Sequence, residues 1–248
     1  MEVIIQPNAA AATGLVARMI AAQLRENPRL VMGLATGRTM EAVYARLVHI
    51  HREEALDFSA CSTFNLDEYV GLPANHPNSY RHYMNHQLFL QVNIPLRNTH
   101  LPNGLARNLK TECAKYEKLI SKLGGIDLQL LGIGLNGHLG FNEPLSPFGS
   151  RTRVKTLSPV TRRQNALLFE PPEQVPHRAI TMGVGTILEC RQCILLATGR
   201  QKATIIAKAV EGPITSMISA TALQLHPHCT VILDEAAASR LKHPVYVS

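Results

Sequence analysis

Asp127–Pro144 reads DLQLLGIGLNGHLGFNEP. Its first residues are mostly apolar, the pattern of a strand buried on both faces of a parallel sheet. The run then breaks into a loop with Gly132, Gly134, Gly137 and Gly140, and that loop carries Asn136, His138, Asn142 and Glu143. A buried strand that opens into a glycine-rich polar loop is where an open α/β sheet usually places its binding site. The imidazole and the carboxylate lie five residues apart, without metal-type spacing around them, so the chemistry indicated is proton transfer.

The same rhythm continues on both sides. Strands are expected at Val3–Gln6, Leu30–Ala35, Cys61–Leu66, Leu128–Ile133, Ala179–Met182, Cys193–Ala197 and Thr230–Leu233. Helices are expected at Ala10–Glu26, Met40–Arg52, Arg81–Phe89, Thr111–Lys122 and Lys202–Val210. This alternation implies an α/β fold, Rossmann-like and doubly wound, with a mostly parallel sheet and helices on both faces. No internal repeat or low-complexity linker interrupts it, and residues 1–248 read as a single domain. The loop Pro144–Arg153, rich in Pro, Ser and Gly, is the candidate for a mobile lid, with a static surface loop as the alternative.

At 248 residues and 46% hydrophobic content, the chain can bury a sizeable core. No apolar run reaches the roughly 18 residues that span a bilayer. The N-terminal MEVIIQPNAAAATGLVARMIAAQL has an acid at Glu2, no basic leader and Arg18 inside its apolar part. It reads as strand then helix rather than as a signal peptide, so a cytoplasmic location is expected. Net charge is +7 and the pI is near 9.3, but the basic residues are scattered apart from Arg151–Lys155 and Arg162–Arg163. With aromatics at 5% and no Trp, stacking on nucleic acid is not expected, and an anionic small molecule explains a basic pocket equally well. Cys61, Cys113, Cys190, Cys193 and Cys229 are an odd, sparse set, which argues against a disulfide framework. Cys190 and Cys193 form a CxxC whose nearest zinc partners are His226, His228 and Cys229; the plainer reading is reduced, packed thiols.

Three more constellations stand at strand ends. Leu34–Thr39, LATGRT, runs from a strand through Thr36 and Gly37 into a helix; backbone N–H groups there, with the hydroxyls of Thr36 and Thr39 and the Arg38 guanidinium, suit one phosphate. The turn lacks both GK[ST] and GxGxxG, and the plain alternative is a βα turn with a solvated Arg. Thr63–Tyr69, TFNLDEY, brings Asp67 and Glu68 to a strand's end; Asp67 is the better general-base candidate, and a turn or helix cap is the commoner role for such a residue. Gly199–Ala203, GRQKA, puts Lys202 at a further strand end, where it suits a phosphate or simply faces solvent. Within the opening loop, Glu143 is in reach to hold His138 in one tautomer or raise its pKa. Together these features suit proton shuffling on a phosphorylated small molecule.

At these residues the chain resembles the glucosamine-6-phosphate deaminase family, over nearly its whole length. The matching segments are LATGRT, TFNLDEYVGL (63–72), HPNSY (His76–Tyr80), GIGLNGHLGFNEP (132–144), SRTR (Ser150–Arg153), AITMGVGTI (Ala179–Ile187), GRQKA, VEG (Val210–Gly212) and ISATALQLH (Ile218–His226). The wider fold group includes 6-phosphogluconolactonases and galactosamine-6-phosphate isomerases, and the intact DEYVGL favours the glucosamine branch. The resemblance implies a hydrolase/isomerase that converts an aldose to a ketose with loss of ammonia, giving fructose 6-phosphate, with no metal or organic cofactor. It implies a sugar-phosphate substrate, no nucleic-acid or membrane partner, and a monomer or homo-oligomer. It assigns ring opening to His138, oriented and charged by Glu143, and C2–C1 proton transfer to Asp67. Asn136 stands where many allosteric members carry Asp and short-chain members Asn. Phosphate is expected on Thr36, Gly37, Arg38 and Thr39, with Gly137 and Lys202 contributing. Galactosamine 6-phosphate deamination, 6-phosphogluconolactone hydrolysis and a non-catalytic sugar-phosphate sensor are the alternatives.

The chain departs from the family pattern at three places. The phosphate turn, usually GSTP or GGTP, is Gly37-Arg38-Thr39-Met40. The Arg that usually binds the sugar phosphate after SRTR is Leu167, so Arg38 is expected to supply a guanidinium from the opposite side. The sequence ends at Ser248, short of the extension of allosteric hexameric members. Ser146, Arg153, Lys155 and Thr156 resemble parts of their activator site and Pro147 does not, so activation by N-acetylglucosamine 6-phosphate is not expected.

Overall fold

The computed structural model describes residues 1–166, 169 and 174–242. In chain order, β1 (Glu2–Gln6), α1 (Ala9–Glu26), β2 (Val31–Leu34), α2 (Arg38–Glu54), β3 (Ser62–Asn65) and β4 (Asp67–Tyr69) come first. α3 (Tyr80–Met84), β5 (Thr99–His100), α4 (Leu109–Lys122), β6 (Leu128–Leu131), β7 (Arg153–Thr156) and α5 (Pro159–Asn165) follow. The described chain closes with β8 (Arg178–Thr181), α6 (Val184–Leu188), β9 (Gln192–Ala197), α7 (Ala203–Glu211), β10 (Cys229–Asp234) and α8 (Glu235–Ala238).

β6 is buried at every residue, as its apolar run requires, and lies mid-sheet between β9 and β2. The seven-stranded order is β1-β10-β9-β6-β2-β3-β5, and every neighbouring pair is parallel. From β2 the chain moves outward to β3 and β5; from β6 it moves the other way, to β9 and β10. The order therefore reverses between β2 and β6, and a crevice opens at their C-terminal ends. Helices fold back as their faces dictate. Asn8 caps α1 by accepting from the Ala11 amide, and Val16, Ile20 and Leu24, one turn apart, are at most 1% exposed. Each such aliphatic side chain contributes roughly 1.5–3 kcal/mol relative to exposure.

A second sheet modifies the expected fold. Ala179–Met182 does not join the parallel sheet; β8 is the centre of an antiparallel three-stranded sheet, β4-β8-β7. Tyr69, Phe141, Leu157, Phe169, Val175 and Ala179 form a separate small core with it. The expected Arg81–Phe89 helix is α3 followed by a π-helical turn at Asn85–Phe89. The candidate lid Pro144–Arg153 is tied down. Leu145 N–H donates to Ser216 O, Ser150 Oγ accepts from Val184 N–H, and Arg151 pairs with Glu117 and Glu189. Leu167 lies outside the described residues. No helix among those described is long and apolar enough to cross a membrane.

Candidate active site

The crevice at the switch point is a cavity of about 560 Å³. Thr36–Met40 line it from the β2–α2 turn, Ile133, Gly134 and His138 from the loop after β6, and Thr198, Gln201 and Lys202 from the turn after β9. Asp67 and Tyr80 close it from β4 and α3, and Thr161 and Asn165 from α5. The primary sheet thus supplies three strand ends, and the small sheet and its helices supply the opposite wall.

The loop after β6 is built around two close approaches. A Cβ on Gly134 would lie 2.3 Å from His138 Cε1, so only glycine lets the ring fold back over its own strand end. A Cβ on Gly140, whose φ is +55°, would lie 3.2 Å from Asp67 Oδ2 and 3.0 Å from Thr181 Oγ1. Asn142, fully buried, fixes the rest. Its Nδ2 donates to Leu139 O (2.9 Å) and Met182 O (2.8 Å), while its Oδ1 accepts from Arg153 Nη1 (2.8 Å).

His138 and Glu143 come together, though not through a hydrogen bond. Glu143 Oε1 accepts from Thr161 Oγ1 at 2.5 Å and Oε2 from Asn136 Nδ2 at 3.2 Å, while His138 Nδ1 is buried without a partner. Burial lowers the imidazole pKa, the Glu143 charge raises it, and Lys202 lowers it again; the net direction is down. Glu143 does pull the pKa upward, as expected, but its pull is smaller than the desolvation against it. The resting ring is neutral at pH 7, able both to take and to return a proton.

Asp67 and Glu68 part company because neighbouring strand residues face opposite ways. Asp67 turns into the cavity, where burial and the nearby Glu68 charge push its carboxyl up to about 8. Glu68 turns to the start of α3, accepting from the amides of Tyr69, Tyr80 and Arg81 at 2.9–3.0 Å. A carboxyl that titrates near neutrality inside a cavity suits a general base.

The far end is cationic. Gly37, at φ +114°, begins α2 with no side-chain cap, so the first amides of a long helix face the cavity. The Tyr83 hydroxyl donates to Gly37 O at 2.9 Å and braces this turn. Lys202 Nζ donates to Ile133 O at 2.6 Å, and its burial lowers its pKa. Arg38 is exposed on the same rim.

A family model described as glucosamine-6-phosphate isomerases/6-phosphogluconolactonase matches residues 6–232. The chain belongs to this family. It is 52% identical to the glucosamine-6-phosphate deaminase of Cellvibrio japonicus over 97% of this chain and 92% of that one. It is 46% identical to that of Thermoanaerobacter pseudethanolicus over 96% and 94%. The solved structure of a monomeric glucosamine-6-phosphate deaminase superposes with a TM-score of 0.94 at 44% identity, covering 97% of this chain and all of that one. A 6-phosphogluconolactonase from Trypanosoma cruzi shares the fold, at a TM-score of 0.77 and 23% identity over 98% and 97%.

Within this family fold, Thr36, Gly37, Arg38, Thr39, Asp67, His138 and Lys202 all line one cavity. Three expected residues, Gly137, Asn136 and Glu143, stand behind it instead. Gly137 cannot offer its amide to a phosphate, because that N–H donates to Gly134 O and its carbonyl accepts from Ala220 N–H. Asn136 holds Glu143 and accepts from the His138 amide at 3.2 Å. Reasoning from sequence passed over Tyr80, Tyr83, Thr161 and Asn165, which also line the cavity. Only HPNSY hinted at Tyr80, and nothing in the local pattern pointed to the α5 pair. The CxxC thiols are buried, His226 Nε2 lies 2.7 Å from Cys190 O, and no group of three metal-type side chains forms among the described residues.

Proposed function

We propose that this chain deaminates glucosamine 6-phosphate, isomerising the aldose to fructose 6-phosphate and releasing ammonia with consumption of one water. The observation that carries the reading is a single cavity with a buried base near neutrality, Asp67, an unpaired neutral imidazole, His138, and a cationic far end.

The sugar phosphate lies with its phosphate on the Thr36–Thr39 turn and Lys202, which leaves the ring between His138 and Asp67. His138 takes the proton of the C1 hydroxyl and returns it to the ring oxygen, opening the pyranose, and Glu143 supports the charge that passes through the imidazole. Asp67 then removes the C2 proton and delivers it to C1 while an amine proton passes to O1, which leaves an imine at C2; water adds to that carbon, and ammonia departs as the C2 ketone forms. Asn136 gives this site one carboxylate fewer than an Asp there would, so His138 depends on Glu143 alone for negative charge. Residues 1–248 act as one unit, a monomer in line with the monomeric relative, in the cytoplasm.

The test measures ammonia and fructose 6-phosphate released from glucosamine 6-phosphate, with galactosamine 6-phosphate and 6-phosphogluconolactone in parallel. Turnover of glucosamine 6-phosphate is expected. Turnover of only one of the others reassigns the substrate, and turnover of none leaves a sugar-phosphate sensor.

A further inference from the structure

One contact joins a wall of the cavity to Glu143. Thr161, in the first turn of α5 and 2% exposed, donates its hydroxyl proton to Glu143 Oε1 at 2.5 Å. Ser158, which caps α5, accepts from the Thr161 amide and donates its own hydroxyl to Thr161 Oγ1, both at 3.1 Å. A hydroxyl has a single proton, so with Ser158 as donor to it, that proton is committed to the carboxylate. Asn136 takes the second oxygen. Held by both, Glu143 makes no hydrogen bond to His138, whose Nδ1 is left buried and unpartnered. The other end of α5 is anchored by Asn165, which donates to the Tyr69 hydroxyl at 2.8 Å and also lines the cavity.

We propose that Thr161 is a positioning residue for Glu143: its hydroxyl holds the carboxylate off His138 and so denies Nδ1 a direct carboxylate partner. The inference rests on the reading of His138 as the ring-opening group. A buried unpaired nitrogen beside a carboxylate bound elsewhere is a costly arrangement, and α5 is the element that maintains it. The charged groups bearing on His138 are Glu143 and Lys202. Thr161 and Asn136 act on the ring through Glu143.

The experiment is an NMR titration of the His138 imidazole in the full chain, for wild type and for Thr161→Val, Thr161→Ala and Thr161→Ser. Val keeps the shape without the donor, Ala removes both, and Ser keeps the hydroxyl. Freed to approach the ring, Glu143 should raise the His138 pKa by about one unit in the Val and Ala variants, and Ser should restore the wild-type value. The pH profile of kcat should move the same way. An unchanged or lowered pKa in the Val and Ala variants overturns the proposal, as does a rise that Ser fails to reverse. The titration needs no substrate. Failure of wild type to turn over glucosamine 6-phosphate therefore removes the functional reading and leaves the Thr161 contact to be judged separately.

Discussion

Asp67 carries a proton that its unfolded counterpart would lose. Its carboxyl is held up to about 8 by burial and by Glu68, against ~3.9 for an unperturbed Asp. Between those values the folded state binds the extra proton, so this group's contribution to stability is complete below about pH 4 and is lost as pH rises through 8. Asp67→Asn should therefore abolish turnover and raise Tm at pH 9, by about 2–4 °C per kcal/mol recovered, with little change at about pH 4. Thermal melts at the two pH values, beside an activity assay, test both halves. A base must also be free of its proton to act, so kcat/KM should rise with pH through about 8. An acid limb near pH 4 would mean that another group is the base. At this scale the sequence was informative: Asp67, His138 and Lys202 could be named because each follows or ends an apolar run. Asp67 was preferred to Glu68 because it directly follows the apolar run, and the pleat, which turns the two adjacent acids opposite ways, puts Asp67 in the cavity.

At the scale of elements, the β2–α2 turn and α3 work as a pair. The turn presents helix amides and Arg38, and α3 leads to Tyr83, whose hydroxyl pins Gly37 O. Arg38→Ala should raise KM strongly with little loss of kcat at saturation, because binding to phosphate is shared by ground and transition states. Tyr83→Phe removes one brace rather than a contact to phosphate, so a KM increase of about 2–10-fold is expected, as for the loss of one ordinary hydrogen bond. Steady-state kinetics on glucosamine 6-phosphate separates these outcomes; an unchanged KM for Arg38→Ala would show the guanidinium to be solvated. The core strands β2, β3, β6, β9 and β10 were legible because strands covered on both faces must be apolar. β4 and β7 were not. DEY and RVKT are short and charged, and they become strands only by pairing with β8 across long stretches of chain. The Thr161–Glu143 contact spans eighteen residues with no local periodicity to mark it.

At the scale of the whole molecule, two sheets divide the chemistry. The parallel sheet holds the His138 loop, the α2 turn and Lys202, while the small antiparallel sheet holds Asp67, and Phe141 belongs to both the cavity wall and the small core. The doubly wound plan could be read from the alternation of elements, but not this division of labour, which depends on a sheet the sequence concealed. The cysteines give the molecule a further property. All five are buried, and burial lifts the thiols of Cys61, Cys190 and Cys229 to about 12, with Cys113 and Cys193 also raised. Thiolate is the form that attacks peroxide and disulfides. The native protein should therefore ignore a colorimetric disulfide reagent until denaturant is added, and then release five equivalents of thiol. Turnover should accordingly survive exposure to peroxide at levels that oxidise accessible thiols, with no reductant added.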